Sequence, residues 1–276
     1  MWSEAAGIAK QAEALGLDSL WVCDHFLSEA PGGPVEGILE GWTVLSALAA
    51  VTERIELGQM VMCVSYRDPG LLAKMASTAQ AISGDRLVLG VGAGWYDREY
   101  HAFGYPTDHR VARFEEALQI ITPLIGGDTV TFSGNYYRVR EAALLPPPTT
   151  PIPLLIASSG PRMLRLTARY ADAWNTAWYG GPNDDVREAL SRMHEALQAE
   201  GRSPASLRRT VGVTVRDPDV RPGQGDNEAF AGSVDDLARV FDAYEELGFN
   251  DVILALDPTT DRSLDRVAEA MERRRG

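Results

Sequence analysis

Three stretches of the chain carry residue types that could do chemistry. The first is Asp24-His25, which follows the apolar run S-L-W-V-C (Ser19 to Cys23). Imidazole is the side chain that passes a proton near neutral pH, or hydrogen-bonds a reduced ring nitrogen. A histidine that only packs or caps a loop is the plainer reading. Asp24 reads as a group that orients the backbone or His25 rather than acting itself. The second stretch is Ser158-Ser159-Gly160-Pro161-Arg162, at a strand-to-helix junction. Its two hydroxyls, the N–H groups of a helix start and the Arg162 guanidinium suit a phosphate. Plain N-capping by Ser159 would need no ligand. Asn175-Thr176, at the next strand end, offers amide and hydroxyl donors beside it. The third stretch is Gly90-Val91-Gly92-Ala93-Gly94, whose glycines let backbone approach a flat ring or a polar tail, although turns also collect glycine. Trp95, Tyr96, Trp178 and Tyr179 read as loop residues that wall an apolar pocket or anchor a subunit interface. His101, His109 and His194 have no constellation around them and read as surface or structural residues.

These stretches need a scaffold. The chain has 276 residues, 45% of them hydrophobic, which suits a large α/β domain. Its net charge of -13 repels phosphate polymers and anionic lipid, so neither nucleic acid nor a membrane surface is expected as a partner. Cys23 and Cys63 stand far apart, with no metal-ligand spacing and no disulfide framework, which points to the cytoplasm and to no metal. No apolar run approaches the ~18 residues of a membrane span, and no signal-peptide pattern opens the chain.

Apolar periodicity places helices at about residues 3–15, 42–51, 71–82, 110–125, 162–170, 185–200, 234–247 and 264–273. Strands are expected at 19–23, 55–62, 87–91, 154–157, 173–176, 210–215 and 252–256. Residues 92–103 read as a loop with a short helix, and 129–139 as a hairpin turning near Ser133-Gly134. The Pro146 to Pro153 segment reads as a stiff connector within the domain, and 217–232 as a mobile polar one. Strict strand–helix alternation implies parallel pairing. No G-x-G-x-x-G follows the first strand, so a closed barrel is favoured over an open dinucleotide-type sheet. Eight helices against seven strands leaves one strand wanting before the first helix, as if the reading frame began late. The expectation is a single domain over 1–276 with a hairpin excursion near 128–140.

Five segments, in order, resemble the luciferase-like monooxygenase superfamily. They are L-G-L-D-S-L-W-V-C-D-H-F (Leu15 to Phe26), L-G-Q-M-V-M-C-V-S-Y-R-D-P (Leu57 to Pro69), D-R-L-V-L-G-V-G-A-G-W (Asp85 to Trp95), I-A-S-S-G-P-R (Ile156 to Arg162) and Y-A-D-A-W-N (Tyr170 to Asn175). The resemblance implies a (β/α)8 TIM barrel of the bacterial luciferase-like type, here lacking its first strand, with chemistry at the C-terminal ends of the strands. The Y-R-D-P and S-S-G-P-R segments resemble the branch that uses the deazaflavin coenzyme F420, with FMN as the alternative. It implies His25 beside the reactive face of the ring, and a non-prolyl cis peptide at Met60-Val61 behind it. Ala93 and Gly94 would touch the cofactor, with Asp24 in the same shell, and Ser158, Ser159, Gly160, Arg162, Asn175 and Thr176 would line its phosphate arm. In the sugar-phosphate dehydrogenase branch a catalytic Glu follows this glycine. Here Trp95 stands in its place, and indole is neither acid nor base, so that specific activity is not expected.

The expected function is therefore hydride transfer between F420 and an organic substrate, in a homodimer by family habit. An FMN-dependent monooxygenase and a non-catalytic flavin-binding or scaffold barrel are the alternatives. A Schiff-base aldolase is a poor fit, because Lys10 and Lys74 both fall within helices.

Overall fold

The computed structural model describes residues 1–29, 35–220 and 229–275. These fall into two compact units, Met1–Ala6 with Ser19–Ile156, and Gly7–Asp18 with Ala157–Gly276. The centre of the connector expected to be mobile, residues 221–228, lies outside the described residues.

The chain opens with α1 (Trp2–Ala14). In the first unit there follow β1 (Ser19–Val22), β2 (Leu27–Glu29), β3 (Val35–Gly37), α2 (Gly41–Val51), β4 (Glu56–Gln59), β5 (Met62–Cys63), α3 (Pro69–Ser83) and β6 (Leu87–Gly92). Then come α4 (Asp97–Phe103), α5 (Arg110–Ile125), β7 (Val130–Ser133), β8 (Arg138–Ala142) and β9 (Leu154–Ala157). Strands β1, β4, β6 and β9 pair in that order and in parallel, with β5 also on β6. All six residues of β6 are buried, as a strand covered on both faces requires.

The sequence punctuates these elements with physical stops. Asp68 caps α3 by accepting from the Gly70 and Leu71 N–H groups, Pro69 takes the first turn, and Gly84 ends the helix at φ 65°. Arg86, just before β6, binds the carbonyls of Ala49, Thr52, Ile55 and Ser83. One guanidinium thus fastens the ends of α2 and α3 at the N-terminal edge of the strands. The fully buried Leu45, Leu57, Leu72, Leu89, Leu118 and Ile121 fill the core.

The run at 55–62, expected as one strand, is two. A cis peptide at Met60-Val61 divides β4 from β5, at the place the resemblance implied. The hairpin is present as β7 and β8, and its turn is tied down by Glu116, which accepts N–H bonds from Asn135, Tyr136 and Tyr137. A second antiparallel pair, β2 with β3, went unread in the sequence.

The second unit continues with α6 (Pro161–Tyr170), β10 (Ala173–Tyr179), α7 (Asp184–Ala199), β11 (Arg208–Arg216), α8 (Val234–Glu246), β12 (Asp251–Asp257) and α9 (Asp261–Arg275). Strands β10, β11 and β12 are parallel neighbours. Trp174, Val186, Met193, Val211, Val213 and Tyr244 are buried between strands and helices. Strand β10 runs three residues past its expected end, through a second non-prolyl cis bond at Ala177-Trp178. Trp178 and Tyr179 are therefore strand residues and not loop residues. Among the described residues, no helix is long and apolar enough to cross a membrane.

Candidate active site

In the first unit, chemistry-bearing residues gather where β1, β5 and β6 end. Asp24 is buried, and its carboxylate is held by both terminal nitrogens of Arg67, at 2.8 and 2.9 Å, and by the Cys63 N–H at 2.8 Å. Burial pushes the Asp24 carboxyl above its usual range, while the Arg67 hydrogen bonds and charge pull against it. Arg67 also reaches Glu40, the carboxylate that caps α2. Asp24 thus splices the end of β1 to β5 and α2. Its role is positional, and its target is backbone and Arg67, not His25.

The partner of His25 is Glu99. His25 Nδ1 lies 3.0 Å from Glu99 Oε2. Glu99 is fully buried on α4 and also accepts the N–H groups of Phe26 (2.6 Å) and Leu27 (2.9 Å) and the Tyr66 hydroxyl (2.9 Å). Burial alone would raise this carboxyl, but the Leu27 and Phe26 donors, with Tyr66 and His25, outweigh it and leave Glu99 below the usual carboxylate range. The His25 side chain keeps about a third of its surface exposed (32%). Trp95 and Tyr96 meet its ring edge-on at 5.6 and 5.9 Å.

Helix α4 is short, so its placement rests on packing rather than propensity. Tyr100 is fully buried, with its hydroxyl on the Ala93 carbonyl and 3.0 Å from Cys63 Sγ. Arg110 lies 4.1 Å over the Tyr100 ring and pairs with Asp97. Tyr66 stacks on Tyr105 at 4.6 Å, and Phe26 tilts against Tyr66 at 4.9 Å. This aromatic cluster fixes the wall from which Glu99 projects.

The glycine run serves mainly this packing. A Cβ on Gly90 would sit 1.9 Å from the Gln59 carbonyl, and one on Gly92 would sit 2.8 Å from Val61. The glycines admit the Gln59 carbonyl and the Val61 side chain, protein neighbours rather than a ligand. Gly94 combines φ +81° with Tyr100 and Cys63 atoms within 2.4 Å of a virtual Cβ. Met60, Val61, Ala93 and Gly94 all remain half-buried.

In the second unit, β9 leads into α6. Gly160 is the N-cap residue, and no side chain caps the helix. Capping by Ser159 is therefore not what its hydroxyl does. Ser159, Gly160 and Arg162 are exposed, and a Cβ at Gly160 would meet nothing within 4 Å. Ser158 is different. Thr167 Oγ1 gives its proton to the Met163 carbonyl, so the 2.8 Å contact between the two hydroxyls must use the Ser158 proton. The Ser158 N–H and carbonyl are also taken, by the Asn175 carbonyl and the Trp174 indole. Asn175 is buried with its amide on Thr210, and Thr176 is buried against the Tyr179 hydroxyl. Of the residues expected to hold a phosphate, Ser159, Gly160 and Arg162 lie on the surface at the start of α6, while the side chains of Ser158, Asn175 and Thr176 are hydrogen-bonded to Thr167, Thr210 and Tyr179.

Sequence reasoning missed Glu99, Tyr66, Tyr100 and Glu40. Glu99 had one available signal, an acidic residue in the first turn of a short helix just past the glycine run.

The family model described as luciferase-like monooxygenase matches residues 1–219. F420-dependent glucose-6-phosphate dehydrogenase of Kineococcus radiotolerans is 33% identical over 213 residues, which are 75% of this chain. The match spans 62% of the length of that relative. Among solved structures, an F420-dependent secondary alcohol dehydrogenase in complex with an F420-acetone adduct superposes with TM-score 0.84 at 20% identity, covering 100% of this chain and 96% of that one. Coenzyme F420 dependent tetrahydromethanopterin reductase from Methanopyrus kandleri gives 0.80 at 19%, covering 97% and 94%. At these identities the structures show the fold alone, which is α/β and of the luciferase-like (β/α)8 type. The chain belongs to the luciferase-like monooxygenase family.

Proposed function

We propose that this chain is an oxidoreductase that exchanges hydride between coenzyme F420 and a small organic alcohol or carbonyl compound. The observation that carries this reading is the His25–Glu99 pair: a part-exposed imidazole at a strand end, anchored by a fully buried carboxylate. It supports proton exchange at the His25 ring. The 33% identity to an F420-dependent dehydrogenase favours F420 over FMN.

Each unit by itself offers residues of the kinds that such a cofactor takes. Ser159, Gly160 and Arg162, at a helix start with no side-chain cap, would hold its phosphate. In the first unit Met60 and Val61, which form the cis bond, and Ala93 and Gly94 would lie against its ring. When bound, F420 supplies the hydride chemistry. His25 takes up or returns the proton at the substrate oxygen. Asp24 and Arg67 hold the end of β1 in place. Trp95 and Tyr96 flank His25 with apolar surface, which supports an apolar substrate over a sugar phosphate. The same reading takes the enzyme to act as a homodimer in the cytoplasm.

The test is titration of the purified chain with F420 and with FMN, followed by fluorescence, then turnover on a panel of alcohols. F420 binding with turnover is expected. Tight FMN binding with none to F420, or indifference to both, would overturn the proposal.

A further inference from the structure

We propose that Glu99 sets the tautomer of His25, holding the ring proton on Nδ1 and keeping Nε2 as the lone pair that accepts the substrate proton. This deepens the function proposed above and rests on it only for what Nε2 meets.

The argument is a count of donors. Glu99 Oε1 receives the N–H groups of Phe26 and Leu27, and Oε2 receives the Tyr66 hydroxyl and faces His25 Nδ1. Backbone N–H groups only donate, so the Oε1 position must be an acceptor whatever side chain stands there. Two backbone N–H groups and the Tyr66 hydroxyl, donors whatever the state of His25, hold the carboxylate in its ionised form despite full burial. An ionised carboxylate has no proton to give, so Nδ1 must donate and Nε2 is left basic. The two backbone donors belong to the residues directly after His25. One side chain therefore fixes both the proton on the ring and the loop that carries it. Glu99 acts through His25 and is a positioning residue. In alcohol oxidation Nε2 would accept the hydroxyl proton while the oxidised cofactor takes the hydride from carbon; in carbonyl reduction the reduced cofactor would supply the hydride to carbon and the imidazolium would return the proton to oxygen.

A glutamine at this position would reverse the bond. Its amide oxygen is claimed by the two backbone N–H groups, so its NH2 must face Tyr66 and His25. That NH2 would donate to Nδ1 and drive the ring proton onto Nε2. Shape and most contacts are kept.

The experiment is nitrogen NMR of the full chain labelled with 15N-histidine, in alkaline buffer, with the His25→Gln variant assigning the signal. Wild type is expected to show Nδ1 protonated and Nε2 bare; Glu99→Gln should show the two exchanged. In F420-linked turnover, Glu99→Gln should lower kcat by about 10²–10⁴-fold, the scale seen when a catalytic histidine is held in the wrong tautomer. A wild-type ring protonated on Nε2 overturns the inference, and that measurement needs no variant to fold. An unexchanged tautomer in a folded Glu99→Gln protein, or exchange with kcat unchanged, also overturns it. Exchange in Glu99→Gln as expected, with a wild-type chain that ignores F420, would uphold the positioning role and sink the proposed cofactor instead.

Discussion

His25 Nδ1 and Glu99 Oε2 lie 3.0 Å apart across 74 residues of sequence. The pair joins the loop after β1 to α4, so ring and carboxylate come from elements that meet only in the folded chain. Removing the ring should not unfold the protein. With His25→Ala, Glu99 still holds three donors, from Phe26, Leu27 and Tyr66. The expected outcome is a kcat lower by about 10²–10³-fold with Tm near wild type. A variant within a few-fold of wild-type kcat would remove His25 from the proton path.

Glu99 also predicts how stability responds to acid. Its carboxyl sits below the ordinary value when folded, because its donors outweigh its burial. A depressed carboxyl contributes stability above its unfolded pKa and loses it as pH falls through the folded one. Wild type should therefore melt higher than Glu99→Gln at neutral pH, and the two curves should converge below about pH 4, the ordinary carboxylate range. Thermal melts across pH 3 to 7 check this. A constant gap between the curves would mean that Glu99 contributes no pH-dependent stability.

Two glycines should answer oppositely to alanine. At Gly94 a Cβ would lie 2.0 Å from the Tyr100 hydroxyl and 2.4 Å from Cys63 Sγ, at φ +81°. Gly94→Ala should cost roughly 2–4 kcal/mol, from positive-φ strain plus overpacking. At Gly160 the Cβ meets open space, and Gly160→Ala should leave the unfolding midpoint unchanged. Denaturant melts distinguish them; equal losses at both sites would contradict the packing described.

The contrast between these glycines marks what the sequence could disclose. His25 was legible because an apolar strand ended at a polar pair. The break at Met60-Val61 was legible only through family resemblance, since no local propensity names a cis bond. Glu99 offered only its acidic place in the first turn of a short helix, and nothing in the sequence tied it to His25. It sits in a seven-residue helix inside a stretch read mostly as loop, and its partner lies far off in the chain. Nor could the sequence separate Ser158 from Ser159. Neighbouring serines look alike until Thr167 claims one hydroxyl. The strands and long helices followed from periodicity; pairings between distant side chains did not.

That separation can be tested at the start of α6. Arg162 is exposed in the first turn of α6, and the Ser158 hydroxyl is hydrogen-bonded to Thr167. Arg162→Ala should weaken F420 binding by roughly tenfold, the scale of one charge-assisted bond, with a smaller penalty at high salt. Ser158→Ala should lower stability by about 1 kcal/mol through the lost hydroxyl pair and leave affinity near wild type. Fluorescence titration beside thermal melts reads both. A Ser158→Ala protein with intact stability and lost affinity would return Ser158 to the phosphate site.

Trp95 bears on which molecule His25 meets. It is the most exposed tryptophan among the described residues, at 72%, yet its ring lies edge-on to His25 and against Tyr96 at 5.2 Å. A large apolar surface left open beside the proposed proton acceptor is placed to gain from covering by a substrate. Within this unit the neighbouring cation Arg67 is spent on Asp24 and Glu40, and Arg110 on Asp97. A phosphorylated sugar would thus bring its charge to a place whose cations are already paired. Trp95→Ala should raise KM for bulky apolar alcohols by roughly tenfold, the worth of about 50 Å² of lost apolar contact, while kcat and the KM for the shortest alcohols change little. Steady-state kinetics across a series of increasing chain length decides it. A uniform fall in kcat along the series would show that Trp95 shapes the His25 ring rather than the substrate's surroundings.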